Sequence, residues 1–272
     1  MLKDNGALKI FPQLTDNTKP NPTHMTLSLL VAYRNRPLHL KCLLEWFTNT
    51  VHINPGIELI LIESSPKPTL VKDPGKNIKY VHVQEDGNFN KARLLNIGLG
   101  YSVGKLVSSY DVDLVPVDLS FKKHLLLAEE SEVLLVSGYR LNCGKEYINV
   151  EEIEQERLQA AICVKEECSE SFLREQLVEG HRYGVIPLFN RERLIKAGAW
   201  DERFEGWGAE DKDVIERYLG GTRHLVRCPD LIYLHLNHEE AAGWNDLALT
   251  RKNDSLYYEK RALREIMIKE GQ

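Results

Sequence analysis

Residues Leu27-Ser28-Leu29-Leu30-Val31-Ala32-Tyr33 are apolar at every position but Ser28. A strand-length run that does not alternate with polar residues suits a strand covered on both faces, as in a parallel sheet between helical layers. The run ends in Arg34-Asn35-Arg36, and Pro37 stands where a helix begins. Leu38, Leu40, Leu43, Leu44 and Phe47 then recur at helical spacing. The alternation continues, with strands predicted at 57–63 (closed by Ser64-Ser65-Pro66), 79–83, 105–109 and 133–137. A helix is predicted over 90–100, with Ala92, Leu95 and Leu99 on one side. Strand–helix–strand units of this kind predict an α/β fold with a mixed, mostly parallel central sheet flanked by helices.

Residues 1–25 are polar and rich in Asn, Pro and Thr, which predicts a flexible arm ahead of a single domain over 26–272. Residues 145–180 are dense in charge, with Leu158, Ile162, Phe172 and Leu177 as apolar anchors, and predict a helical insert on the surface. Further helices are predicted near 191–197, from Glu210 to the Gly220-Gly221 stop, and over 254–269. Strands are predicted near 224–228 and 231–235.

With 35 basic and 40 acidic residues the net charge is −5, so bulk charge supports neither nucleic-acid nor anionic-membrane binding. No apolar stretch approaches the roughly 20 residues of a membrane span, and the N-terminus carries no apolar signal region. The five cysteines lack a C-x-x-C pair and read as buried thiols of a reducing compartment, so the expected location is cytoplasmic.

Asp111-Val112-Asp113 directly follows a predicted strand, and alternation puts both carboxylates on one side of the chain. In open α/β sheets ligands bind beyond the carboxyl ends of the strands. Two carboxylates there call for a cation such as Mn²⁺ or Mg²⁺. In isolation such a pair is more often a solvated turn. His235-Leu236-Asn237-His238 offers two imidazoles three positions apart, a set that favours Mn²⁺ over Mg²⁺. Alone, it reads as one core and one exposed histidine. In Gly206-Trp207-Gly208-Ala209-Glu210-Asp211, glycines let the backbone approach a ligand and the indole supplies a flat face for a sugar ring. Acidic residues at a helix N-terminus are common, but that preference does not account for the Gly-Trp-Gly before them. Arg34 and Arg36 lie at the ligand end of the first strand, where guanidinium forks suit a diphosphate. Phe89 sets a ring beside Lys91 and Arg93.

Taken in order, Ala32-Tyr33-Arg34-Asn35-Arg36, Phe89-Asn90-Lys91-Ala92-Arg93-Leu94-Leu95-Asn96-Ile97-Gly98, Asp111-Val112-Asp113-Leu114-Val115-Pro116, Gly206-Trp207-Gly208-Ala209-Glu210-Asp211 and His235-x-x-His238 closely resemble the β-1,4-galactosyltransferases and their bacterial relatives, including chondroitin-type polymerases of glycosyltransferase family 2. The resemblance runs over about residues 27–240. It implies a GT-A fold and inverting, Mn²⁺-dependent transfer of a galactose or N-acetylhexosamine type of hexose from a UDP-sugar to a carbohydrate acceptor. By position, Arg34 and Arg36 would meet the diphosphate, Glu63 and Phe89 the uracil, and Lys91 and Arg93 the diphosphate or sugar. Asp113, His238 and His235 would hold the metal, with Asp111 close to the ribose or the ion. Trp207 and Gly208 would line the donor, Asp211 would be the base, and Glu210 would orient the acceptor. This chain has Gly208-Ala209 where relatives often have Gly-Gly, and residues 181–185 match the donor-selecting segment loosely. Three other readings stand beside this one: a peptide or protein acceptor, a non-catalytic nucleotide-sugar-binding module, and a metal-dependent phosphoryl-transfer enzyme.

Overall fold

A computed structural model describes residues 25–70, 74–117, 120–130, 132–142, 151–152, 155, 183–206, 208–238 and 246–269. The predicted N-terminal arm except Met25, which is buried, and nearly all of the predicted charged insert lie outside these residues.

The central sheet has the order β3-β2-β1-β4-β7. Its parallel strands are β1 (Leu27–Tyr33), β2 (Ile57–Ser65), β3 (Ile78–Gln84) and β4 (Leu106–Ser109), and β7 (Phe189–Asn190) runs antiparallel at the edge. Period-two alternation in β1 sends Leu27, Leu29, Val31 and Tyr33 to one face. There they pack against Leu40, Leu43, Phe47 and Val51 of α1 (Pro37–Ile53) and against Phe121 and Leu125 of α3 (Ser120–Glu130). Leu30 points the other way, into a layer made by α2 (Lys91–Tyr101), α4 (Arg191–Lys196) and α5 (Glu210–Leu219). Fully buried Leu and Ile side chains of this kind each contribute about 2–5 kcal/mol against truncation to Ala. The two-faced sheet is therefore the frame on which the loops at its carboxyl edge are held.

Ser28, the one polar residue of the β1 run, donates to buried Glu58 at 2.5 Å and accepts from Gly104 N at 2.8 Å, while Lys79 Nζ reaches Glu58 at 2.9 Å. The polar group is thus satisfied at the end of the sheet opposite the ligand edge, where it ties down the α2–β4 connection.

The predicted sheet is split in two by the structure. β5 (Leu114–Pro116), β8 (His224–His235) and β6 (Leu134–Asn142) form a second sheet in the order β5-β8-β6. The two strands predicted at 224–228 and 231–235 are one strand. Its pairing with β6 jumps from Ser137↔Arg227 to Tyr139↔Ile232, and the extra residues of the bulge mimic a turn in the sequence. The C-terminal helix α6 (Leu247–Lys269) starts earlier than predicted, while α1, α2, α4 and α5 start within a residue of their predicted positions. Cys42 is buried and Cys228 half-buried; the other three cysteines lie outside the described residues. Among the described residues no helix is long and apolar enough to cross a membrane.

Candidate active site

The carboxyl ends of β1, β2, β3 and β4 share one edge of the sheet, and the motifs lie there. What joins Asp111-Val112-Asp113 to His235-x-x-His238 is strand pairing. β5 begins at Leu114, which pairs with His235, and Leu236 N donates to Asp113 O at 2.8 Å. The last carboxylate of one motif is thereby placed against the imidazoles of the other. His235 Nε2 lies 3.8 Å from Asp113 Oδ1 and His238 Nε2 lies 3.2 Å from Oδ2, while Arg36 Nη1 also binds Oδ2. The three metal-ligand candidates have donor atoms within 4.8 Å of one another.

Burial pushes the Asp113 carboxyl pKa up, but the His238 hydrogen bond and the charges of His235 and Arg36 outweigh it and hold the group well below the usual carboxylate range. Burial pulls the His235 pKa down against the opposing pull of Asp113, which favours the unprotonated ring that can ligate. Asp113 Oδ1 is buried and makes no hydrogen bond among the described residues. A buried, unsatisfied carboxylate oxygen facing an imidazole fits a divalent cation, and a carboxylate with two imidazoles suits Mn²⁺.

A second cluster is centred on Lys91, the first residue of α2. Its Nζ lies 2.9 Å from Asp111, 3.4 Å from Asp211 and 4.0 Å from Glu210. Burial pulls the lysine pKa down, but the three carboxylates outweigh it and hold the pKa well above its ordinary value. Glu210 is buried, and burial with the neighbouring Asp211 pushes its carboxyl up to about 7 against the pull of Lys91. Asp211 is half-exposed, with its carboxylate open to solvent. The two acids head α5 beyond a run of left-handed residues, Gly208 at φ 108° and Ala209 at φ 71°. Gly208 takes that conformation freely, whereas Ala209 is strained in it, as backbone at functional sites often is.

The remaining predicted residues divide. Arg34 donates to Ser64 O at 2.7 Å, Ser64 Oγ at 2.6 Å and Gly87 O at 2.7 Å and stacks 5.3 Å over Phe89. It thus braces two loops and keeps only part of its guanidinium for a ligand. Arg93 pairs with Glu85 on the rim. Glu63 is enclosed: its oxygens accept from Ser65 Oγ, Thr69 N, Thr69 Oγ1 and Tyr80 OH, and the structure does not present it to the cleft. Trp207 lies outside the described residues.

Sequence reasoning missed Arg140 of β6, whose charge faces Asp111, Asp113 and His235, and His39, whose Nε2 donates to Asn237 O at 3.1 Å and steadies the 235–238 turn. Nothing local marks either residue; only the sheet pairing and the α1 packing bring them in.

Residues 44–244 match the family described as glycosyltransferase like family 2. The chain is 24% identical over 199 residues to human β-1,4-galactosyltransferase 4, covering 69% of this chain and 41% of that protein. It is 24% identical over 220 residues to the hyaluronan synthase of Pasteurella multocida, covering 71% of this chain and 22% of that one. The chain therefore spans less than half the length of these relatives. Two solved structures share the fold. One is a variant of Drosophila β-1,4-galactosyltransferase 7 in complex with manganese, UDP-Gal and xylobiose (TM-score 0.50, 17% identity, 79% of this chain and 71% of that one). The other is residues 1–349 of S. aureus TarS (TM-score 0.54, 13% identity, 78% and 60%).

Proposed function

The chain belongs to glycosyltransferase-like family 2, and from that membership we propose an inverting, Mn²⁺-dependent transferase. It moves a hexose, of galactose or N-acetylhexosamine type, from a UDP-sugar to a hydroxyl of a glycan acceptor in the synthesis of a surface polysaccharide or glycoconjugate. One observation carries the reading: a continuous path of charge contacts runs from His238 through Asp113, along the chain to Asp111, and through Lys91 to Asp211. That linkage supports a metal-ligand set and a candidate base acting on one donor. The galactosyltransferase and hyaluronan synthase relatives support a hexose donor and a glycan acceptor, and the manganese and UDP-Gal in the Drosophila structure support the ion and the nucleotide.

Asp113, His235 and His238 would hold the cation, which when bound supplies Lewis-acid stabilisation of the departing diphosphate. Arg36, Lys91 and the unused part of Arg34 add fixed positive charge around the same group. Phe89 borders the base, with Gly208 beside the sugar. Glu63 acts one step back by fixing the 65–69 turn.

The acceptor oxygen bonds to C1 of the sugar while the bond from C1 to the diphosphate breaks, through an oxocarbenium-like transition state. Asp211, half-exposed at the head of α5, takes the hydroxyl proton. Glu210, buried behind it, hydrogen-bonds the acceptor. A base on the face opposite the leaving group gives inversion, so an α-linked donor yields a β-linkage.

The test is a melting-temperature screen of UDP-sugars with and without Mn²⁺, followed by UDP release with oligosaccharide acceptors. Stabilisation by one UDP-sugar that requires Mn²⁺ is the expected result, because a ligand of the native state raises its stability. No stabilisation and no UDP release with any donor would overturn the reading.

A further inference from the structure

Residues 200–206, which lead toward Glu210 and Asp211, are gripped from two sides. On the donor side, Asn96 exchanges bonds with Trp200 (Nδ2 to O at 2.8 Å, Trp200 N to Oδ1 at 3.1 Å), Asn90 Nδ2 donates to Glu202 O at 2.8 Å, and Gly206 N donates to Phe89 O at 2.9 Å. On the other side stands α6. Asn253 Nδ2 donates to Glu205 O at 2.8 Å, and Leu249 packs so close to Gly206 that a Cβ there would meet its Cδ2 at 2.5 Å. Lys260 Nζ reaches Asp201 at the start of the loop and, at 2.8 Å, Asp213 beyond its end, and it lies 5.4 Å over the ring of Phe204 between them.

Asp213 has no solvent exposure and stands in the first turn of α5, two residues after Asp211. Arg217, on the same helix, already bonds it at 2.8 Å, enough to balance one buried carboxylate. The second and third cations, Lys260 and Arg264, both come from α6, and Arg264 also bonds Glu216 at 2.8 Å. What they add is the relative placement of two helices, since each is bound at both ends in a protected setting where a charge-assisted bond is strong and directional.

We propose that α6 is a positioning element of the catalytic apparatus and that Lys260 is its central residue, setting the rotation and height at which α5 presents Glu210 and Asp211. Lys260 touches no substrate; it acts through the loop and through Asp213. The proposal rests on the transferase reading above.

The experiment compares full-length Lys260→Met and Lys260→Arg with the parent chain, reading kcat by UDP release and donor affinity by the Mn²⁺-dependent thermal shift with UDP. Misplacement of reacting groups by about 1 Å costs about 10²-fold in rate. Lys260→Met is therefore expected to lose about 10²-fold in kcat with UDP affinity unchanged, and Lys260→Arg, which keeps the charge and the reach, to regain most of it. A folded Lys260→Met with parental kcat overturns the proposal, as does an equal fall in UDP affinity, which would place Lys260 with the donor. Should Lys260→Met fail to fold, Asn253→Ala removes one grip on the loop without touching a charge. It is expected to lose about 10-fold in kcat at unchanged UDP affinity, and parental kcat there overturns the proposal equally. A parent chain that releases no UDP from any donor removes the transferase reading itself, a result distinct from an active parent with an equally active Lys260→Met.

Discussion

Replacing Glu210 by Gln should stabilise the protein at high pH and leave it almost unchanged at low pH. Glu210 is buried at the head of α5 with Asp211 beside it, and burial together with that neighbour raises its folded pKa from 4.5 to about 7. A carboxyl raised in the folded state binds its proton more tightly there than in the unfolded chain. Its favourable contribution is complete below 4.5 and is lost as the pH rises through about 7. At about 1.4 kcal/mol per pH unit, that gap corresponds to about 3 kcal/mol as an upper bound. The pull of Lys91, 4.0 Å away, is already contained in that value, so a gain of up to about 3 kcal/mol is expected at pH 8.5. Gln keeps the shape and removes the charge. The assay is urea unfolding of parent and Glu210→Gln at half-unit steps from pH 4 to 8.5, with the difference in stability plotted against pH. The difference should rise between pH 4.5 and 7 and then level off, while turnover falls by about 10²-fold because the acceptor loses its orienting group. A difference that is flat across the range, or one that falls with pH, would refute the reasoning.

Asp211→Asn should bind donor as the parent does and lose about 10²–10⁴-fold in turnover, as expected for a missing general base; a rate near the parent's would remove Asp211 from that role. Asp113→Asn should abolish the Mn²⁺-dependent part of the UDP-induced thermal shift. In the parent, EDTA should stop transfer and added Mn²⁺ restore it, whereas full activity in chelator would contradict the ligand assignment. His124, fully buried, accepts from Tyr233 OH at 2.8 Å and donates to Val136 O at 2.9 Å, and burial lowers its pKa from 6.5 to about 4. A histidine held neutral in the fold is protonated first in the unfolded chain. Stability should therefore fall by about 3 kcal/mol on acidification from pH 6.5 to 4, and His124→Gln should flatten that slope in pH-dependent melts.

The parts of the fold legible in the sequence are those written in local periodicity. The unbroken apolar run of β1, Pro37 at the head of α1 and the Gly220-Gly221 stop after α5 each mark an element from within. The candidate ligand set was legible because the residue types are rare in combination. What stayed hidden depends on pairing across distance. β8 reads as two strands because its bulge carries the same turn-like residues as a real break. β5 is only three residues long and exists through its pairing with β8. Arg34 and Glu63 look from the sequence like groups aimed at a ligand. Arg34 is also a brace between two loops, and Glu63 has its oxygens taken by Ser65, Thr69 and Tyr80. Helix α6, a polar stretch with few apolar anchors, shows its grip on the loop ahead of α5 only through residues far upstream.

The register Leu114↔His235 has a consequence for how the protein is made. The three candidate ligands sit at the ends of two strands, Asp113 just before β5 and His235 and His238 at and just beyond the end of β8, and these meet only when the first half of the chain pairs with its last quarter. The ligand set therefore exists only once this non-local pairing has formed, a pairing of the kind that is slow to close because a long loop must be ordered first. A chain cut short before β8 lacks two of the three candidate ligands and the strand that sets them against Asp113.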